Sequence, residues 1–182
     1  VDWTSIGKND YQTPIWDPAL VNNEIDKMVF VKNTGDNDAY VRVFYAFEVG
    51  AYTNFKQFEE KVHLNKNDTD WTWEWDKYIA KKGNSKFFIA VATYKYPLAP
   101  NEITKVSLSQ ILLDPIATNV DVKSFGNYFD VHIFAQAIQT QSFDGPEIAL
   151  ETGFGSEIPF PDMTIYRGEQ LKTALHNFEA NI

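Results

Sequence analysis

From Tyr40 to Val49 the chain alternates. Val41, Val43, Tyr45, Phe47 and Val49 fall on one side, Tyr40, Arg42, Ala46 and Glu48 on the other. A period of two is the geometry of an extended chain, so this run predicts a β-strand with one buried face. The shorter β-rich run Lys27–Lys32 precedes it, separated by Asn33-Thr34-Gly35-Asp36-Asn37-Asp38, residue types that tolerate turns and positive φ. The two runs read as a hairpin or as neighbouring strands of one sandwich. Trp71, Trp73 and Trp75 alternate with Thr72, Glu74 and Asp76, which predicts a strand with a large aromatic face.

Further strands follow from the same signal. Phe87–Tyr94 is apolar on both faces, as in a central, doubly covered strand. The run Tyr128–Gln139 places Phe129, Val131, Ile133, Ala135 and Ala137 on one side, with weaker runs at Lys61–Leu64 and Ile103–Leu108. Turn chemistry punctuates the chain at Lys82-Gly83-Asn84, at Pro97–Asn101 and at Ser124–Asn127. Helical signal is confined to a short segment opened by Gly145-Pro146 and to Arg167–Glu179, where Leu171, Ala174, Leu175 and Phe178 recur at helical spacing. Many strands with few helices predict a mostly β fold, a jelly-roll-like β-sandwich with short helices in the connections and near the C-terminus. Residues 27–182 read as one such domain. Residues 1–26 read as a loop-like arm, anchored by Trp3, Ile6, Tyr11, Ile15, Trp16 and Leu20 without a clean period. It could lie across its own sandwich or reach onto a neighbour as an added strand.

Composition then removes function classes. In 182 residues, 16 Lys and Arg stand against 25 Asp and Glu, a net charge of −9 without a basic stripe, so a phosphate-tracking nucleic-acid binder is not expected. No stretch approaches the roughly 18 uncharged apolar residues of a membrane span. Cysteine is absent, which excludes disulfides, thiolate metal sites and a cysteine nucleophile. The chain begins at Val1 rather than Met, read as either a cleaved signal peptide or trimming, with export the expectation.

Signs of catalysis are sparse. His63, His132 and His176 are far apart, and none belongs to a His-Glu-x-x-His zinc motif. Nucleophile-elbow, phosphate-loop and dinucleotide fingerprints are missing too. Asp36-Asn37-Asp38 and Asn67-Asp68 with Asp70 could offer oxygens to calcium, but without the twelve-residue loop spacing they read as solvated turns. Glu74 and Asp76 are the kind of carboxylate pair any acidic chain offers. Asn67-Asp68-Thr69 matches the glycosylation sequon. No cofactor or metal site, and no catalytic residue, is predicted. The Trp71/Trp73/Trp75 face admits three readings: core if buried, subunit interface if partly covered, sugar-stacking platform if exposed.

Three segments together resemble the TasA/camelysin family, proteins exported with SipW-type signal peptides. Phe30–Gly35 with Ala39–Val43 resembles its "V-x-N-x-G … A-Y-V-R" region, Tyr94–Thr104 its "Y … P-L-x-P-G-E-x-T" turn, and Phe129–Gln139 its "F-x-V-x-V-x-A-E-A-I-Q" strand. Asn101 stands where the family has glycine, and Gln136 where it has an acid. The resemblance implies a jelly roll displayed outside the cell, polymerising into biofilm matrix fibres, alone or with an accessory subunit. The N-terminal segment of one subunit would complete the sheet of the next. Val1, Trp3, Ile6 and Tyr11, within residues 1–12, are the donor anchors this implies here. The other readings are a secreted carbohydrate- or protein-binding module and, through camelysin's peptidase label, a metallopeptidase without a recognisable zinc motif.

Overall fold

A computed structural model describes residues 24–114, 117, 123 and 129–179. Among the described residues, eight strands and three helices are delimited in chain order: β1 (Glu24–Val29), β2 (Ala39–Glu48), α1 (Phe55–Lys61), β3 (Val62–Lys66), β4 (Trp71–Lys82), β5 (Ser85–Tyr94), β6 (Leu108–Leu113), β7 (Val131–Gln139), α2 (Pro146–Phe154), β8 (Thr164–Arg167) and α3 (Glu169–Glu179). The strands form a three-stranded sheet in the order β1-β6-β3 and a five-stranded sheet in the order β7-β2-β5-β4-β8. Every strand pair is antiparallel. The architecture is mostly β, two antiparallel sheets with short helices, as the alternating runs predict.

The main core lies between the sheets. Val41, Val43, Tyr45 and Phe47 of β2 meet Phe88, Ala90 and Ala92 of β5, and Leu108 and Ile111 of the smaller sheet close over them. Each of the larger apolar side chains contributes about 1.5–3 kcal/mol by leaving water, the two alanines less. At one end α1 inserts Phe58, fully buried against Phe47 and Phe88. The helix is started by Asn54, whose side chain accepts the Gln57 N–H at 3.0 Å. Tyr45 crosses the core to bond Ser107 Oγ at 2.5 Å. Ser107 Oγ spends its own proton on the Val29 carbonyl at 2.9 Å, so Tyr45 is the donor. Burial pushes the Tyr45 pKa upward, with the Ser107 bond opposing.

Two expectations need correcting. First, β2 is buried on both faces: Tyr40, Phe44 and Ala46 are as enclosed as their inward neighbours. Phe160 covers Phe44 and Ala46, while Ala149 and Leu150 of α2 cover Tyr40. Second, the β-rich run ending near Lys32 and β2 are not a hairpin, because β1 and β2 belong to different sheets and Asn33–Asp38 crosses between them. The turn at Ser124–Asn127 and the arm before Glu24 lie outside the described residues.

The Tyr94–Thr104 turn fixes the end of the sandwich at which β2 begins. Asn33 donates its amide to the carbonyls of Asn37 and Leu98, at 2.8 and 2.9 Å, and Glu102 accepts the Ala99 N–H at 3.1 Å. Asn101 has φ 67°. Glycine occupies that left-handed region without penalty, asparagine tolerates it, and β-branched residues strain there. Asn101→Gly is therefore expected to keep or raise stability by up to about 1 kcal/mol, and Asn101→Val to lower it by about 1–2 kcal/mol. Urea midpoints check this; a valine variant as stable as the parent would contradict it.

Candidate functional site

Among the described residues, one flank of the sandwich has no cover. The three-stranded sheet is too narrow to cover its five-stranded partner. At one side β3 lies over β4, since Lys66 holds its ammonium 5.8 and 5.2 Å from the ring centres of Trp73 and Trp75. At the other side β1 reaches only as far as β2, linked to Tyr45 through Ser107. The edge strand β7 projects beyond it. Its inward residues Ile133, Ala135 and Ala137, paired with Tyr45, Val43 and Val41, are exposed, Ile133 by 40%. On the outward face Phe134 is 45% exposed, whereas Ile138 packs beneath α2.

Hydrogen-bond alternation determines what this edge offers. The Glu48 N–H donates to the Asp130 carbonyl at 2.9 Å and the Thr140 N–H to the Asp38 carbonyl at 3.0 Å. In an antiparallel ladder, alternate residues exchange bonds with one neighbour. The even-numbered residues of β7 therefore bond to β2, and the N–H and C=O groups of Val131, Ile133, Ala135, Ala137 and Gln139 face outward.

Edges of this kind are usually guarded by charges, bulges or short length. The sequence of β1 contains Glu24, Asp26 and Lys27; β3 contains Lys66; β8 is four residues long with Arg167 at its end. The part of β4 that β8 leaves unpaired has a register shift between Glu74 and Tyr78, and Glu74 and Lys77 are ion-paired at 3.0 Å. Among these strands β7, Val-His-Ile-Phe-Ala-Gln-Ala-Ile-Gln over nine residues, is the one without Asp, Glu, Lys or Arg. Its missing charge was visible in the sequence, but its place at an edge was not.

The tryptophans point into the space between the sheets. Trp71 is 1% exposed and donates from Nε1 to the Lys105 carbonyl at 3.0 Å. Trp73 and Trp75 are half-buried and stacked on each other at 6.3 Å, and they pack on Tyr45 and Phe47 at 5.1 and 5.6 Å. The first is core and the other two are its rim, under Lys66. Trp75 Nε1 is buried without a hydrogen-bond partner among the described residues.

The remaining candidates stay dispersed. His63 Nε2 pairs with Asp114 Oδ2 at 2.6 Å on the surface, His132 stands edge-on to Phe87, and His176 lies exposed on α3. Asn67 commits its amide to Asp70 at 2.9 Å and its oxygen to the N–H groups of Thr69 and Asp70. The sequon side chain is thus an internal brace of its turn. Asp36, Asn37 and Asp38 line a polar hollow of about 290 Å³ with Gln139, Thr140 and Gln141. Among the described residues no group of three or more His, Asp and Glu side chains is placed to hold a metal ion, and no helix is long and apolar enough to cross a membrane. Arg42, on the outward face of β2, bonds Gln136 Oε1 at 2.7 Å and the Gly155 carbonyl at 3.0 Å, and burial lowers its pKa. It ties β7 to the end of α2. Val1, Trp3, Ile6 and Tyr11 lie outside the described residues.

The three segments that carry the family resemblance prove to be neighbours. The first two meet where Asn33 bonds Leu98, and the third is the strand beside β2. Their quoted residues hold turns and ladders rather than reactive groups. No family model, curated protein or solved structure matches the chain, so the likeness to TasA and camelysin rests on those three segments alone.

Proposed function

We infer that this protein is an exported structural subunit that polymerises head-to-tail into extracellular filaments, the N-terminal segment of one copy completing the sandwich of the next. The observation that carries the reading is the flank where Ile133, Ala135 and Ala137 are exposed and no strand among the described residues covers them. A strand laid along the free side of β1 would lie over them. It would gain a main-chain ladder from β1 and bury apolar surface worth about 25 cal/mol per Å². Twelve extended residues span about 40 Å, more than the six-residue β1 requires.

Residues 1–12 are the proposed donor, with Val1, Trp3, Ile6 and Tyr11 as its anchors. A contact of this kind uses two different surfaces and does not close on itself, so it propagates a filament. The jelly-roll winding, the export by a cleaved signal peptide and the placement in a biofilm matrix or at a cell surface belong to the same proposal, through the resemblance. No cofactor enters it. The test is removal of residues 1–12: the shortened chain is expected to fold and not to polymerise, and filaments formed by it would refute the joint.

A further inference from the structure

The filament reading uses the inward face of β7 and leaves that strand's outer edge unused. We propose that this edge pairs with β7 of a second copy, antiparallel about a twofold axis through Ala135, and so joins filaments or subunits side by side.

Register and charge both favour a second copy as the occupant. Ala135 is the midpoint of Val131–Gln139 and one of the residues whose N–H and C=O face outward, so the axis through it pairs all nine residues. Val131 then faces Gln139, Ile133 faces Ala137 and Ala135 faces itself, each pair exchanging two N–H···O=C bonds. On the inward face the large Ile133 meets the small Ala137. On the outward face Phe134 meets Gln136 and His132 meets Ile138. Directly opposed side chains of these sizes fill the pleat without collision. Asp130 falls opposite Thr140, so no carboxylates oppose each other at the ends. Moving the axis by two residues shortens the ladder. Two copies of a chain with net charge −9 repel, and β7 is where they can touch without bringing charge together.

The absence of cysteine makes the test clean. Ala135→Cys puts one thiol on the axis, where paired Cα atoms about 5.5 Å apart suit a disulfide. Lys56→Cys, exposed on α1, is the control. Under mild oxidation at equal concentration, the full chain with Ala135→Cys is expected to form the disulfide dimer at least about tenfold faster than the control, because pairing raises the local thiol concentration. Removing residues 1–12 as well should leave that rate unchanged, which separates this contact from the filament joint. Equal rates for the two thiols would overturn the proposal, as would loss of the advantage in the shortened chain. A second variant, Ala135→Asp, sets two carboxylates face to face. It should abolish concentration-dependent dimers of the shortened chain in sedimentation while leaving its circular dichroism intact, and dimers that persist would also overturn it.

Discussion

Truncating Phe47 to alanine is expected to cost the fold about 3–5 kcal/mol. Phe47 is fully buried, and its ring sits among three others: Tyr45 at 5.7 Å, Phe58 at 6.2 Å and Trp75 at 5.6 Å. Those rings come from three different elements, β2, α1 and β4, so no single neighbour can move in to fill the gap. Transfer and cavity terms therefore both count. Urea denaturation should show a lower midpoint with an unchanged slope. Ile148→Ala, at a position 59% exposed, should stay within about 0.5 kcal/mol of the parent. A loss below about 1 kcal/mol for Phe47→Ala would mean that the Phe47 ring is not packed among these three.

The second large effect is on assembly. Ile133→Lys places an ammonium on the inward face of β7, where the monomer leaves the side chain 40% exposed. The isolated chain should tolerate it with little change in stability, since the charge stays hydrated. Covering the same position with a donor strand would bury that charge without a partner, which costs several kcal/mol. Inward-pointing lysines are one device by which natural sheets prevent strand addition. The expected result is a folded chain with native circular dichroism that sediments as small species where the parent forms polymers. Polymer yield equal to the parent's would show that the flank is not the joint.

These predictions draw unequally on what the sequence made visible. The central strands β2 and β5 were legible, because alternation and continuous apolar runs are local signals, and Lys82-Gly83-Asn84 marked their neighbour's turn correctly. The outward burial of Phe44 and Ala46 was not, since it depends on Phe160, more than a hundred residues away. β6 was missed because Leu-Ser-Gln-Ile-Leu-Leu has little alternation and no turn residues before it, and β8 because four residues carry too little pattern. The tryptophan face was recognised as aromatic, but whether it was covered depended on β3 and Lys66. The flank itself was half legible. The run Tyr128–Gln139 reads as a strand with one apolar side, and only the strand order and the exposure of Ile133, Ala135 and Ala137 show that this side lacks a cover among the described residues.

Electron microscopy of the purified protein with its N-terminus at Val1, over a range of concentration and pH and beside the chain lacking residues 1–12, decides whether the protein polymerises through that segment. Low pH is informative, because protonating carboxylates relieves repulsion between subunits of an acidic chain. Regular filaments are expected from the full chain and none from the shortened one. Filaments from neither chain, or from both, would contradict the N-terminal joint.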